Sequence, residues 1–281
     1  PVDADTLFAI GSNSKSFTTG LLAMLVDEAK LDWDQPVVQL LPGFAMYDPA
    51  VTPMMTVRDL LVHRSGLPIG AGDLMHFPRT NFRREEVLAA LRHLKPARGF
   101  RAGYDYDNIL YIVAGLLIER ISGTSWEDYV TARILLPLGM NGAVPNIELV
   151  RTGNVTGRHA RLGPPVRGMG KLAIMSADDT PMAAPAGGIH SSVTDIIPWL
   201  STQLGQGATP HSGRLWSEQQ AEEMWKPQVV TIHTTGPNSD NPVRPILSAY
   251  ALGWNISHYR GHRWVGHTGG DREIELRGGR R

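Results

Sequence analysis

The stretch Phe8-Ala-Ile-Gly-Ser-Asn-Ser-Lys-Ser-Phe-Thr18 decides how the rest of the chain is interpreted. The run from Thr6 to Ile10 just before it is short and apolar, which is typical of a strand or an extended lead-in. From Ser14 to Ala29 the apolar residues instead recur at helical spacing. The stretch therefore predicts a strand-to-helix junction, and Ser12 lies at that junction.

Ser12 and Lys15 form the only S-x-x-K motif of the chain. A serine in the first turn of a helix lies in a partial positive field, close to free backbone N–H groups. A lysine three residues later lies on the same helix face, and a buried lysine with a lowered pKa can accept a hydroxyl proton. The pair predicts an activated nucleophile; the alternative is a capping serine followed by a surface lysine. Ser14 and Ser16 are expected to cap or pack.

A second motif, Tyr106-Asp-Asn108, lies in a turn-like run just before a predicted helix. A tyrosine phenol can relay a proton beside a cation, and an asparagine amide can hold a substrate carbonyl. The alternative is a helix cap next to core tyrosines. Tyr104 competes with Tyr106 for the proton-relay role.

A third motif, His267-Thr-Gly269-Gly270, ends the strand-like run from Arg263 to Gly266. Backbone N–H groups at a strand edge beside a site can stabilise an oxyanion, whereas the alternative is a plain turn after a strand. His233-Thr-Thr-Gly236 is similar, but it has an extra threonine and lies in a polar loop, so we discount it.

These three motifs occur in the order S-x-x-K, Y-x-N, H-T-G and are far apart in the chain. Their order resembles the serine β-lactamase and penicillin-binding-protein superfamily. The chain is most similar to class C β-lactamases, family VIII esterases and D-stereospecific peptidases. Further blocks match these relatives, so that the resemblance covers roughly residues 6 to 270: Thr56-Val-Arg-Asp-Leu-Leu-Val-His-Arg-Ser-Gly-Leu-Pro68, Ser122-Gly-Thr-Ser-Trp126, Pro137-Leu-Gly-Met140, Pro185-Ala-Gly-Gly188 and Tyr250-Ala-Leu-Gly-Trp254.

The resemblance implies a serine hydrolase that forms an acyl-enzyme. Ser12 would be the nucleophile and Lys15 its activator. Tyr106 would share the base and acid roles with Lys15, and which of the two takes the proton stays open. Asn108 would position the substrate carbonyl.

The resemblance also implies the rest of the site. The backbone N–H groups of Ser12 and Gly270 would form the oxyanion hole, and His267, Thr268 and Gly269 would line the substrate side. The substrates would be small molecules with an ester, D-amino-acid peptide or β-lactam bond. No cofactor and no metal are implied.

One departure from the family pattern concerns the first residue of the third motif. Most β-lactamases have a lysine there, whereas this chain has His267. An imidazole with an ordinary pKa near 6.5 is mostly neutral at pH 7, so it attracts a β-lactam carboxylate less than an ammonium does. Ester or peptide substrates are therefore favoured over β-lactams. Gly187 falls where class C enzymes carry a ring, which predicts a wider pocket.

Composition excludes several other classes of protein. The chain has 281 residues, with 27 basic and 27 acidic side chains, so it lacks the charge expected of a nucleic-acid binder. The absence of cysteine rules out disulfides, thiolate zinc sites and cysteine nucleophiles. The longest apolar run, 109–118, is too short to span a bilayer. The resemblance favours the periplasm or secretion; the compartment, the natural substrate and the oligomeric state stay open.

The resemblance predicts an α+β, β-lactamase/transpeptidase-like fold, in which a helical region flanks an antiparallel sheet. Residues 1–281 would form one domain: mainly helical over 14–140, loop-rich over 141–190, and helix then strands over 191–270. Short strands are expected at 250–254 and 263–265, joined by a turn around Gly261. The sequence signals place the predicted helices at 56–62, 82–94, 108–121, 126–136, 192–204 and 217–225.

Both ends of the chain differ from the family pattern. Only 11 residues precede Ser12, and the 11 that follow Gly270 include seven charged ones that do not alternate like a core strand. We therefore expect an incomplete domain that lacks sheet strands at both termini, with a charged tail at 271–281. The strand that carries the third motif would then lack its neighbours. A non-catalytic remnant of such an enzyme is the alternative hypothesis.

Overall fold

The computed structural model describes residues 1–162, 171–175, 180–211, 213–233, 245–270 and 274–279. Its α-helices in chain order are α1 Ser14–Asp27, α2 Val37–Leu40, α3 Arg84–Ala90, α4 Ile109–Ser122, α5 Trp126–Val130, α6 Ala184–Gly187, α7 Val193–Leu204 and α8 Glu218–Met224. A π-helical turn, Thr131–Leu135, continues α5. The strands are β1 Phe8–Ala9, β2 Arg158–Leu162, β3 Lys171–Met175, β4 His190–Ser191, β5 Val229–His233, β6 Leu247–Tyr250, β7 Asn255–Tyr259, β8 His262–Gly269 and β9 Ile274–Gly279.

Helices α1 and α4 form the centre of the hydrophobic core. The apolar run 109–118 lies within α4, and all of its residues are buried. Asp107 caps this helix by accepting a hydrogen bond from the Leu110 backbone N–H at 3.1 Å, and Gly123 ends it with φ +75°. Within the described part of the chain, no single helix is long and apolar enough to cross a bilayer. One helix pair bent by 77°, Ile109–Ser122 with Trp126–Leu135, meets the length and composition criteria together.

Strands β5 to β9 form one antiparallel sheet in which each strand lies beside the next in sequence. The pairing of β8 with β9 corrects two predictions about the C-terminal end of this sheet. Strand β8 pairs with β9 from Gly269 opposite Ile274 to Trp264 opposite Gly279, so it does not lack a neighbour. Part of the predicted charged tail is therefore a strand, because ladder hydrogen bonds use backbone groups whatever the side chains are. Residues 271–273 and 280–281 of that tail lie outside the described residues.

The predicted strand over 250–254 is wrong. Tyr250 ends β6 and Asn255 begins β7, while the residues between them form a tight turn in which Ala251 N–H donates to the Trp254 carbonyl at 2.7 Å. Gly253 has φ +77°, and a Cβ there would lie 3.2 Å from the Lys15 carbonyl oxygen. The turn is thus held against α1 by a backbone approach that only glycine permits. The predicted turn around Gly261 is confirmed between β7 and β8.

The predicted helix over 56–62 is mostly absent, because only Arg58–Leu60 forms a 3-10 turn. Asp59 accepts hydrogen bonds from the Thr56 backbone N–H at 3.1 Å and from its hydroxyl at 2.8 Å, which closes this turn. The helix does not continue because His63 adopts a left-handed backbone with φ +57°. The other helix predictions are confirmed to within a few residues, although the stretch 126–136 divides into α5 and the π-helical turn.

Two small sheets complete the described fold. Strand β1 pairs antiparallel with β4, and β2 pairs antiparallel with β3. The second pair lies within the predicted loop-rich stretch 141–190, of which residues 163–170 and 176–179 lie outside the described residues. The first pair holds the segment before Ser12 against the segment that follows α6.

Candidate active site

The nucleophile candidate lies on a 3-10 turn, Gly11–Asn13, directly before α1. The predicted strand before it shortens to β1, and the Ile10 N–H donates to the Ile189 carbonyl at 3.0 Å. The Asn13 side chain closes the turn by donating to the Ile10 carbonyl at 2.7 Å. Ser12 is therefore held by backbone and side-chain bonds, and it is only partly buried.

Lys15 is fully buried beside Ser12, as the S-x-x-K spacing predicts. Its Nζ lies 3.0 Å from Ser12 Oγ, 2.7 Å from Asn108 Oδ1 and 2.8 Å from the Ala186 carbonyl oxygen. Burial lowers the pKa of Lys15 from 10.5 to about 7, although the carboxylates of Asp107 and Asp73 oppose the shift. At neutral pH a large share of this amine is therefore uncharged.

Tyr106, rather than its competitor Tyr104, lies next to Lys15. The lysine Nζ is 4.8 Å from the centre of the Tyr106 ring, whereas the Tyr104 ring packs against His63 and Tyr250. Burial raises the pKa of Tyr106 well above 10, with an opposing effect of the Ser12 hydroxyl. The Tyr106 hydroxyl is buried and meets no hydrogen-bond criterion among the described residues. The phenol is thus protonated at neutral pH and can donate.

Asn108 connects Lys15 to a part of the chain that the sequence motifs do not include. Its Oδ1 accepts from Lys15, and its Nδ2 donates to Asp73 Oδ1 at 3.2 Å. The same Asp73 oxygen accepts from His76 Nε2 at 3.0 Å. Hydrogen bonds therefore run without interruption from Ser12 through Lys15, Asn108 and Asp73 to His76.

The third motif brings a neutral histidine to the site. His267 is only 4% exposed. Its Nδ1 lies 2.7 Å from the Thr268 carbonyl oxygen, which can only accept, so this nitrogen carries the proton. Its Nε2 then accepts from the Tyr250 hydroxyl at 2.9 Å. Burial lowers the pKa of His267 to about 3, and the nearby Lys15 adds to this shift.

The two glycines of the third motif lie against the nucleophile turn. A Cβ at Gly269 would lie 2.1 Å from the Ile10 carbonyl oxygen, and a Cβ at Gly11 would lie 3.2 Å from the Gly270 backbone nitrogen. The end of β8 can approach this closely only because both positions are glycine. The backbone of Gly11, the residue before Ser12, is thereby brought close to that of Gly270, while Thr268 is exposed.

Several residues beside the predicted ones were not found from the sequence. Asp73 and His76 belong to no motif, and the match of Tyr250–Trp254 to the family implies no role for Tyr250. His63 is buried against the Tyr106 ring at 4.2 Å between ring centres and accepts from the Asp107 N–H at 3.2 Å. These residues come together through long-range contacts, which a motif search cannot detect.

Two further groups of residues lie apart from this set of side chains or outside the described residues. His258 and His262 lie on the facing strands β7 and β8, and no group of three potential metal ligands occurs among the described residues. Of the discounted run at 233–236, residues 234–236 lie outside the part of the chain that the structure describes.

The fold and this set of side chains define a class of protein, the serine β-lactamase and penicillin-binding-protein superfamily. Residues 1–275 match the family model described as Beta-lactamase. The chain therefore belongs to the β-lactamase family.

Comparisons with individual proteins agree with this assignment. An unguisins hydrolase from Aspergillus campestris is 30% identical over 279 residues, which cover 96% of this chain and 49% of that protein. Penicillin-binding protein 4 from Amycolatopsis lactamdurans is 26% identical and is covered to 67%, with 95% of this chain aligned. The octameric penicillin-binding protein homologue from Pyrococcus abyssi superposes with a TM-score of 0.74 at 26% identity, over 96% of this chain and 58% of that one. The chain spans about half the length of the unguisins hydrolase.

Proposed function

We propose that this chain is a serine hydrolase that acts through an acyl-enzyme on Ser12. The observation that carries the proposal is the set of partners around Lys15. A neutral amine has two N–H bonds and one lone pair. The amide oxygen of Asn108 and the carbonyl oxygen of Ala186 can only accept, so they take both N–H bonds. In the neutral amine the lone pair then faces Ser12 Oγ, 3.0 Å away, as a general base requires, whereas the protonated amine would donate its third N–H to the same oxygen.

The acylation step follows from these contacts. Lys15 takes the Ser12 hydroxyl proton while Oγ forms a bond to the substrate carbonyl carbon, and the carbonyl π electrons move onto oxygen. The backbone N–H groups of Ser12 and Gly270 would stabilise that oxyanion. Collapse of the intermediate breaks the bond to the leaving group. The leaving group takes a proton from Tyr106, which regains one from protonated Lys15.

Deacylation uses the same groups in the reverse direction. Water attacks the acyl carbon while Lys15 takes up one of its protons, through the Tyr106 hydroxyl, and Ser12 Oγ then leaves and takes a proton from protonated Lys15. Lys15 and Tyr106 take different roles, one as base and the other as acid, because burial shifts their pKa values in opposite directions. It lowers the pKa of Lys15 to about 7 and raises that of Tyr106 well above 10. Lys15 is therefore the proton acceptor and Tyr106 the donor.

The neutral third motif favours ester or D-amino-acid peptide bonds over β-lactams. Both ring nitrogens of His267 are used, by Thr268 and Tyr250, and its pKa of about 3 keeps the ring uncharged at neutral pH. At the described residues of the third motif, 267–270, a β-lactam carboxylate would therefore meet a neutral ring and no cation. The hydrolase name of the most identical relative described above agrees with bond hydrolysis.

The experiment is turnover of p-nitrophenyl acetate, a D-amino-acid amide and nitrocefin, together with labelling by a fluorophosphonate probe. We expect ester and amide turnover above nitrocefin turnover, with a probe adduct on Ser12. Ser12→Ala should abolish both substrate turnover and probe labelling. Ser201→Ala, at an exposed serine on α7, should change neither turnover nor labelling. Absence of any adduct on a folded chain would favour the non-catalytic remnant. Faster nitrocefin than ester turnover would overturn the substrate preference.

A further inference from the structure

A loop outside the three motifs reaches the candidate site. Its Gly70 N–H donates to the Tyr106 carbonyl at 3.2 Å. Gly72 packs so tightly on α4 that a Cβ there would lie 2.2 Å from Ile109 Cδ1. Both glycines have positive φ, +73° and +77°, so the loop turns in a way that other residues rarely adopt. The loop is therefore fixed to the segment that carries Asn108, and Asp73 follows directly.

Asp73 is itself anchored. His76, one turn later, points Nε2 at Asp73 Oδ1, and the carboxylate can only accept, so this histidine nitrogen carries a proton. The His76 side chain is 14% exposed, whereas that of Asp73 is 39% exposed. Burial opposes ionisation of Asp73, but the hydrogen bonds from His76 and Asn108 lower its pKa below the usual value. Asp73 is thus a fixed carboxylate at neutral pH.

The orientation of the Asn108 amide decides where the Lys15 lone pair points. With Oδ1 toward Lys15, the amide accepts one lysine N–H. If the amide were reversed, Nδ2 would donate to the lysine lone pair and compete with Ser12 for it. Asp73 prevents that reversal, because a carboxylate facing Oδ1 would place two acceptors in contact.

We propose that Asp73, anchored by His76, is a positioning residue that holds the Asn108 amide so that its oxygen faces Lys15. The effect of Asp73 on catalysis rests on the proposed function, in which Lys15 is the base that activates Ser12. One N–H of Asn108 is then bound to Asp73, and the second is left for the substrate carbonyl. Removing the carboxylate would release the amide and weaken Lys15 as a base.

A second effect of Asp73 separates this role from a merely structural one. Its negative charge, like that of Asp107, favours the protonated form of Lys15. Burial of the lysine amine opposes both carboxylates, because it favours the neutral form. The other groups that face Lys15 are Ser12 and the rings of Tyr106 and Tyr111, with His63 and His267 nearby. None of these groups is removed when Asp73 is replaced, and release of the Asn108 amide would act in the same direction, because protonated Lys15 would lose an acceptor. Loss of the carboxylate should therefore lower the pKa of Lys15 and move the acid limb of the pH–rate profile to lower pH.

The test is a double-mutant cycle on p-nitrophenyl acetate hydrolysis. Asp73→Ala should lower kcat by about 10- to 100-fold, since misplaced catalytic groups cost that much. In the Asn108→Ala background the same change should cost less than about 3-fold, because Asp73 acts through Asn108. Asp73→Asn, which can still accept from Asn108 but has no charge, should retain most of kcat while its acid limb shifts. Glu85→Gln, at an exposed carboxylate on α3, is the matched control.

Two outcomes would overturn the inference. The first is that the losses of kcat in Asp73→Ala and Asn108→Ala add up in the double variant. The second is that the acid limb of the pH–rate profile stays in place in a folded Asp73→Asn variant. If the parent chain neither turns over esters nor labels Ser12, the proposed function fails instead. The inference is then decided by NMR of the lysine side chains and of the Asn108 amide. We expect the Asn108 amide signals to move and the Lys15 pKa to fall on Asp73→Ala, and unchanged values for both would refute the positioning role.

Discussion

Replacing Lys15 with methionine should make the stability of the fold less dependent on pH. The lysine is fully buried among Ser12, Asn108 and Ala186, and its pKa falls from 10.5 to about 7 on folding. Methionine has a similar length and no charge. Titration of groups that do not interact with Lys15 contributes to both proteins and cancels in the difference between them.

The magnitude follows from the two pKa values of Lys15. Between pH 7 and pH 10.5 the unfolded chain binds more protons than the folded one, so the stability of the parent protein rises with pH in that window. Below pH 7 both states are protonated and the burial penalty is present in full. From pH 6 to pH 9 the parent protein should gain about 2 to 3 kcal/mol relative to Lys15→Met.

The assay is urea unfolding of both proteins at pH 6, 7, 8 and 9, with the difference in unfolding free energy plotted against pH. Lys226→Met is the matched control, because that side chain is 66% exposed. A Lys15→Met difference that stays within about 0.5 kcal/mol over this range would refute the assigned pKa, and with it the basis for a neutral base in the site.

Three further predictions concern activity. Acylation of Ser12 should rise with pH to a plateau above about pH 7 and be about 100-fold slower at pH 5, where about 1% of Lys15 is neutral; a flat rate profile would contradict this. Tyr106→Phe should lower kcat by at least about 100-fold without lowering Tm, because its buried hydroxyl meets no hydrogen-bond criterion; full turnover would exclude its role as acid. Gly269→Ala should lower both Tm and probe labelling, because the added Cβ would lie 2.1 Å from the Ile10 carbonyl oxygen. Gly153→Ala, which meets nothing within 4 Å, is its control, and equal Tm values would refute the close approach.

The helices could be predicted because their signals are local. The apolar run 109–118 and the stop at Gly123 define α4 nearly to the residue. The strand expected at 250–254 could not be predicted correctly, since Gly253 turns the chain to approach the Lys15 carbonyl. The pairing of β9 with β8 was missed because the alternation of apolar and charged residues in Ile274-Glu-Leu-Arg277 is only four residues long and lies in a tail of mostly charged residues.

The residues of the candidate site also fall into those that have a local sequence signal and those that have none. The proximity of Ser12 and Lys15 follows from helical spacing, and motif order indicated that Tyr106 and Asn108 would join them. Asp73 carries no local signal, because an aspartate in a glycine-rich loop is ordinary turn chemistry. Its contact with Asn108 depends on the long-range bond from Gly70 to Tyr106, which no spacing rule contains.

The hydrogen bonds of Lys15 have a consequence for how the chain folds. They join Lys15 to residues 93 and 171 positions away, so they close two very long loops. Contacts of high sequence separation form slowly, whereas the α1 helix that carries Lys15 can form within microseconds. During that interval the lysine remains hydrated and cationic, and the serine beside it is inert. Reactivity toward a covalent probe should therefore appear later than helical circular dichroism during refolding, which makes Ser12 a reporter of the last native contacts.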